Sequence, residues 1–221
     1  MVTVTELTYD ALFRYFHILS GITWIGLLYF FNLVNLPLLK FDLKKPFTVD
    51  MAEKASAAIT AKTLFWFRWG AMSTLVFGLA LIEMKRRQYT DGLAGYFFDS
   101  GLPGYFILMG VVFGIIMWFN VWFIIWPAQQ VILRNNKKIA GGVSDEEKQR
   151  LQAENAPRVK NAVTASRTNT WLSVPMLFGM VFGAHGREIS TKDWEPFYGP
   201  ILVLLVVLLI MVFMSFRGKK A

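Results

Sequence analysis

The chain contains two histidines and no cysteine, so few of its residues can bind a metal or attack a substrate. Without cysteine, the 221 residues can form no disulfide, thiolate metal site, iron–sulfur cluster or covalently attached c-type haem. Any imidazole chemistry must therefore involve His17, His185 or both. The sequence contains no glycine-rich phosphate loop, no Ser/His/Asp set and no cluster with metal-ligand spacing.

His17 stands in an apolar segment, in the run Arg14-Tyr-Phe-His-Ile-Leu-Ser-Gly21-Ile-Thr-Trp24. On a helix, Arg14, His17, Gly21 and Trp24 share one face. Gly21 removes side-chain bulk one turn from the imidazole, so a flat macrocycle could approach the backbone there, with Arg14 near its propionates. Alternatively, His17 hydrogen-bonds to a neighbouring helix and Gly21 serves helix packing.

His185 closes a second apolar segment and has glycine and alanine as neighbours. Two imidazoles from different helices, each beside small residues, are what bis-histidine ligation of haem b requires. We therefore predict that His17 and His185 bind the iron of one haem b. Three alternatives stay open: Met109, Met176 or Met180 as the sixth ligand, a five-coordinate iron, and a solvated loop position for His185.

The elements that must position these residues are membrane helices. Hydrophobic residues make up 55% of the chain, and its mean hydropathy is +0.43. A soluble domain of this size has no core large enough to bury so much apolar surface. We predict an all-α integral membrane bundle formed by residues 1–221 as a single domain. At ~20 residues per span, its five helices cover about 11–36, 64–84, 104–126, 160–184 and 196–216.

Helix signals also occur in the connections between the spans. Ser144-Asp-Glu-Glu147 is a capping box and predicts a helix running to about Asn155. Pro157 is a favoured first-turn residue and predicts a new helix that lengthens the fourth span. A further short helix is expected from about Val49, merging into the second span.

Lys and Arg are distributed unequally between the two sides of this bundle. Sixteen of the 23 fall in connections on one side and six on the other. The more basic side is expected to be cytoplasmic, which places the N-terminus outside, and the C-terminus and the connection 127–159 inside. Both histidines then lie in the outer half. The net charge of +8 indicates contact with anionic lipid; it does not indicate nucleic-acid binding, because the basic residues are spread over helix ends.

Other polar residues lie within or near the predicted spans. Arg68 lies near the inner end of the second span, where it could extend to the lipid headgroups or hold a propionate or a quinone. Asn32, Asn35 and Asn120 are expected to form hydrogen bonds between helices.

Two stretches carry a family resemblance. One is His17-Ile-Leu-Ser-Gly-Ile-Thr-Trp-Ile-Gly26; the other runs from Phe119-Asn-Val-Trp-Phe-Ile-Ile-Trp-Pro127 through Ala165–Thr170 and Ser173–Phe178 to His185. Together they resemble the membrane domain of bacterial cytochrome-c-linked urate oxidases, the urate oxidase N-terminal family. The first stretch is also similar to haem-containing membrane protoporphyrinogen oxidases and to copper-resistance membrane proteins.

This resemblance implies a haem-associated position at His17 and a multi-pass protein of the bacterial inner membrane. The urate-oxidising proteins carry a cytochrome c domain, whereas no Cys-x-x-Cys-His occurs here, since the chain has no cysteine. We therefore expect either that a separate subunit carries the c-type haem or that this membrane domain functions in a different complex.

Three functional hypotheses follow. The leading one is a b-type cytochrome subunit that relays electrons through one haem to an outer-face partner such as a cytochrome c. The second is the membrane part of an oxidoreductase acting on urate or a similar heterocycle with a separate cytochrome c; Arg68 and Ser166–Thr170 are its candidate substrate-binding residues. The third is a haem-free structural subunit of a larger membrane complex.

Overall fold

The computed structural model describes residues 4–36 and 46–185, and every regular element within those ranges is helical. Five α-helices account for most of these residues: α1 (Val4–Tyr29), α2 (Pro46–Arg86), α3 (Leu102–Phe119), α4 (Trp126–Ala140) and α5 (Asp145–His185). Wider π-helical turns continue α1 over Phe30–Asn35 and join α3 to α4 over Asn120–Ile125. A one-turn helix at Gly92–Ala94 and a π-helical turn at Gly95–Asp99 lie between α2 and α3. The predicted all-helical class is confirmed for the described residues.

Three helical segments in the described part of the chain are long and apolar enough to cross a membrane: Leu7–Asn35, Lys62–Arg86 and Leu102–Ala140. They contain the first three predicted spans almost completely. The predicted fourth span, 160–184, lies within α5 but is not one of these segments. The predicted fifth span, 196–216, lies outside the described residues. The five-span count and the orientation in the membrane therefore stay predictions.

The helix that follows the capping box is longer than predicted. The backbone N–H of Glu147 donates to Ser144 Oγ at 3.3 Å, as the capping box requires. However, the helix does not end near Asn155, and no new helix begins at Pro157; both predictions are wrong, because α5 is continuous over 41 residues. A buried stripe of side chains that includes Leu151 and Ala162 runs along α5 on both sides of Pro157. Tertiary packing thus outweighs the hydrogen bond that proline removes from the helix.

The chain forms two compact units, and the first comprises Met1–Ala80 and Met117–Thr170. In this unit α1 lies antiparallel to α2, since His17 contacts Thr74 while Trp24 contacts Gly70. A Cβ atom at Gly70 would lie 3.3 Å from the backbone nitrogen of Trp24. Gly70 therefore allows the two helix backbones to approach closely.

Amide side chains connect the helices of the first unit. Asn32 Nδ2 donates to Ser166 Oγ at 2.7 Å, and Asn120 Nδ2 donates to Asn169 Oδ1 at 2.7 Å. Asn169 is fully buried and donates in turn to the carbonyl oxygen of Met117 at 2.9 Å. The interhelical roles predicted for Asn32 and Asn120 are confirmed.

A second group of amides holds α4 against the first part of α5. Asn135 Nδ2 donates to Asn155 Oδ1 at 3.0 Å, and Asn155 Nδ2 donates to Asn136 Oδ1 at 3.1 Å. Ile132 and Leu151 are buried on the same two helices. The two helices therefore form an antiparallel hairpin with both apolar and amide contacts.

The second unit comprises Leu81–Ile116 and Trp171–Ala221, and its described part packs through aromatic rings and glycines. The ring centroid of Phe106 lies 5.5 Å from that of Phe178 and 4.5 Å from that of Phe182. A Cβ atom at Gly179 would lie 2.5 Å from the carbonyl oxygen of Phe106, and one at Gly183 would also collide with α3. Small residues therefore allow α3 and α5 to pack closely.

Candidate functional site

The imidazole of His17 is fixed by one hydrogen bond to a neighbouring helix. Its Nδ1 lies 2.8 Å from the carbonyl oxygen of Thr74 in α2. A carbonyl oxygen can only accept, so Nδ1 must carry a proton and donate, which leaves the lone pair of the neutral ring on Nε2. Among the described residues, no group forms a hydrogen bond with Nε2. His17 thus offers one ligand nitrogen, and the bond to Thr74 sets its tautomer.

Gly78 provides the space in which this ring lies. A Cβ atom on Gly78 would lie 2.9 Å from Cε1 and 3.1 Å from Nδ1 of His17. Any side chain at this position would displace the imidazole from its hydrogen bond to Thr74. Neither Thr74 nor Gly78 was predicted from the sequence. The four-residue spacing of Gly70, Thr74 and Gly78 was the available signal, since small residues at this interval mark a face for close helix packing.

The other two residues predicted on the His17 face, Gly21 and Trp24, also face α2. A Cβ atom on Gly21 would lie 3.9 Å from Thr74 Cγ2, an ordinary van der Waals distance. This position favours the helix-packing interpretation of Gly21, and the close approach to the imidazole is made by Gly78. Trp24 is buried, and its indole Nε1 has no hydrogen-bond partner among the described residues. The shared helix face is therefore the α2-facing side of α1.

Arg14 pairs with a carboxylate on its own helix. Its Nε donates to Oδ2 of Asp10, one turn earlier in α1, and its Nη2 lies 3.5 Å from Oδ1. The four-residue spacing of Asp10 and Arg14 is the sequence signal for this pair. A haem propionate at Arg14 would share the guanidinium with Asp10.

His185 ends α5 in the second unit, and its side chain is exposed. His17 belongs to the first unit, where its ring is partly buried against α2. The structure therefore describes the two predicted ligands in separate units, and their pairing on one iron stays a prediction.

The methionines named as alternative ligands serve as packing groups in the second unit. Met180 Sδ lies 3.2 Å from the position that a Cβ atom on Gly110 would take, and Met109 Cε lies 3.1 Å from the corresponding position on Gly179. Met176 is buried. All three fill space beside helices, which is the usual role of methionine in apolar interiors.

The described residues provide no ready-made cage for a bare metal ion, because no three His, Asp or Glu side chains among them could hold one. An iron at His17 would therefore need a macrocycle to supply most of its ligands. An open groove of about 360 Å³ lies between α1 and α2, lined by residues from Ile22 to Leu27 and from Lys62 to Trp66. His17 is not among the residues that line this groove.

Residues of the Ser166–Thr170 segment, which was nominated together with Arg68 for a urate pocket, already have structural partners. Ser166 accepts a hydrogen bond from Asn32, and Asn169 binds Asn120 and a backbone carbonyl. The hydroxyl of Thr170 donates to a carbonyl of its own helix. Ser166 and Asn169 therefore connect helices, whereas Thr170 bonds within α5.

No protein-family model, curated protein or solved structure matches this chain. The geometry around His17 is therefore the basis for assigning a function.

Proposed function

We propose that the chain is a membrane-embedded b-type cytochrome subunit and that His17 is an axial ligand of its haem iron. The main support is the 2.8 Å hydrogen bond between His17 Nδ1 and the Thr74 carbonyl oxygen. Histidines that bind a metal through one ring nitrogen almost always donate a hydrogen bond from the other. The environment of His17 meets that requirement.

The residues around His17 hold the imidazole in place. Thr74 fixes the tautomer and Gly78 leaves room for the ring. A bound haem supplies reversible one-electron transfer, whose potential depends on ligand identity, hydrogen bonding to the ligand and burial. The bond to Thr74 would act on the second of these factors.

We propose His185 as the second axial ligand, because the charge distribution favours an orientation with both histidines in the outer half of the membrane. Its exposed side chain leaves the imidazole accessible for ligation. Electrons would pass from the haem to an outer-face partner such as a cytochrome c on a separate subunit. The proposed location, a bacterial inner membrane with the N-terminus outside, rests on the same charge count and on the family resemblance.

The direct test is the reduced-minus-oxidised absorption spectrum of the full-length protein, purified in mild detergent from a haem-replete host. We expect the bands of a b-type haem at a ratio of one haem per chain. His17→Ala should lose most of this haem. Colourless wild-type protein would contradict the cytochrome proposal and favour a haem-free structural subunit. Full haem content with an unchanged spectrum in His17→Ala would contradict the ligand assignment.

His185→Ala separates the two ligand roles. We expect this variant to keep its haem, because His17 still binds the iron, and to change from a low-spin to a high-spin spectrum as the second ligand is lost. An unchanged low-spin spectrum would exclude His185 as a ligand and leave one of the methionines as the candidate. Added imidazole should restore haem binding to His17→Gly if the cavity itself is intact.

A further inference from the structure

Arg68 carries a charge into an apolar segment. It lies six residues after Lys62, where the second candidate span begins, which corresponds to ~9 Å along the helix. Ionisable residues at such positions are costly unless they reach the membrane interface or find a partner. The surroundings of Arg68 therefore show how its charge is compensated.

Three tryptophans surround the guanidinium within the first unit. Its Cζ lies 3.6 Å from the ring centroid of Trp126, 5.2 Å from that of Trp122 and 5.7 Å from that of Trp69. These cation–π contacts favour the charge and hold the planar group against the rings. Aromatic faces cannot replace the oxygen acceptors that an arginine fork normally binds.

Arg68 has no such acceptor among the described residues. The other arginines with described ion pairs bind an Asp or Glu three or four residues away in the sequence. Arg68 forms no described ion pair or hydrogen bond, and its buried Nε has no partner within residues 4–36 and 46–185. The indole Nε1 of the adjacent Trp122 is also buried without a partner in this part of the chain. Two neighbouring donors thus lack an acceptor, and one of them belongs to a cation.

The exposed surface beside this cluster is aromatic. Phe65 and Trp69 are both exposed, and their ring centroids lie 6.4 Å apart. Trp and Tyr side chains of this kind are enriched at the depth of lipid headgroups. A ligand here would therefore combine an anionic group for the guanidinium with an apolar part for the rings.

We propose that Arg68 binds the phosphate group of an anionic phospholipid, with its guanidinium held by Trp122 and Trp126 and an acyl chain lying along Phe65 and Trp69. Arginine forms paired, charge-assisted hydrogen bonds with phosphate oxygens. A fixed lipid would neutralise the charge within the span. This inference is independent of the haem proposal, because it involves none of the residues around His17.

Native mass spectrometry of the full-length, delipidated protein tests the proposal. Phosphatidylglycerol and phosphatidylcholine are titrated separately, each with and without excess inorganic phosphate. We expect one phosphatidylglycerol molecule to bind more tightly than the rest and to resist displacement by inorganic phosphate. Arg68→Gln should weaken this binding at least about tenfold, since a hydrogen bond to a charged group contributes a tenfold step or more.

Arg134→Gln is the matched control, because it removes the same charge from an exposed position in the same unit. It should keep the tight lipid. Equal phosphatidylglycerol binding by Arg68→Gln and wild type would overturn the proposal. Displacement by inorganic phosphate would overturn the lipid assignment and indicate a site for free phosphate.

Arg68→Lys is the second test, needed if Arg68→Gln does not fold. Lysine keeps the charge but lacks the planar fork, so it should bind phosphatidylglycerol several-fold more weakly than wild type. Wild-type affinity in Arg68→Lys would overturn the proposal.

Discussion

The helices of the first unit are joined by hydrogen bonds between side chains as well as by apolar packing, whereas those in the described part of the second unit meet through glycines and aromatic rings. In the first unit, His17, Asn169 and Asn135 each bond to a neighbouring helix. In the second, glycines of α5 contact the backbone and side chains of α3. Polar contacts fix which residues pair, whereas glycines allow helices to pack closely. His17 and Arg68, on which the two proposals mainly rest, both lie in the first unit.

The largest effect on stability is expected in the second unit. Gly179→Ala adds a Cβ atom 2.5 Å from the carbonyl oxygen of Phe106, which cannot move without bending α3. We expect a loss of about 3 kcal/mol in the free energy of unfolding, measured by SDS-induced unfolding. Gly114→Ala is the control, because its Cβ atom meets nothing within 4 Å. Equal stability of the two variants would contradict tight packing between α3 and α5.

The corresponding glycine substitution in the first unit should lower the haem content more strongly than it lowers the free energy of unfolding. Gly78→Ala displaces the imidazole of His17, although alanine recovers up to about 1 kcal/mol of helix propensity. We expect a loss of about 1–2 kcal/mol in stability and a haem content well below that of the wild type.

Gly26→Ala tests whether this effect is local, because it adds the same methyl group to α1 without any contact within 4 Å. Its haem content should equal that of the wild type. A parallel loss of haem in both variants would show that the two glycines act through general helix packing.

A smaller effect is expected at the amides of the first unit. Asn169→Leu removes its bonds to Asn120 and to the Met117 carbonyl oxygen. Interhelical hydrogen bonds in membranes contribute about 0.6 kcal/mol each on average, so a loss of about 1 kcal/mol is expected. Thr168→Leu, at an exposed neighbouring position, should change stability little. If Asn169→Leu is as stable as the wild type, polar contacts do not hold this unit together.

The smallest effect is expected at the start of α5. Ser144→Ala removes the acceptor for the Glu147 N–H and should cost about 0.5–1 kcal/mol locally. Hydrogen exchange of the first turn of α5 should become faster, with no change near Asn169. Faster exchange along the whole helix would indicate that α5 unfolds as one cooperative unit.

The face of α1 that carries His17, Gly21 and Trp24 could be predicted from the sequence, because it depends only on helical periodicity. Its partners Thr74 and Gly78 lie on another helix, and their contact depends on how the two helices pair. The local sequence does not determine which residues of the two paired helices lie opposite each other. The spacing of small residues in α2 identifies the packing face but does not show which residue of α1 lies against it.

The continuity of α5 through Pro157 shows where rules based on local sequence fail. Pro157 has the local character of a first-turn residue, and the capping box correctly predicted the helix start. The helix continues through Pro157 because Leu151 and Ala162, on either side of it, are both buried along one face. Burial of this kind depends on neighbours that are distant in sequence, so a local rule could not predict it.

The π-helical turn at Asn120–Ile125 determines the angle about the helix axis between the residues before it and those after it. Such a turn behaves as a one-residue insertion into an α-helix. Deleting one residue there would restore α-helical winding and rotate α4 by about 100° relative to Met117. Asn135 would then point away from Asn155, and Ile132 would leave its buried position. A single surplus residue thus determines which face of α4 lies against α5.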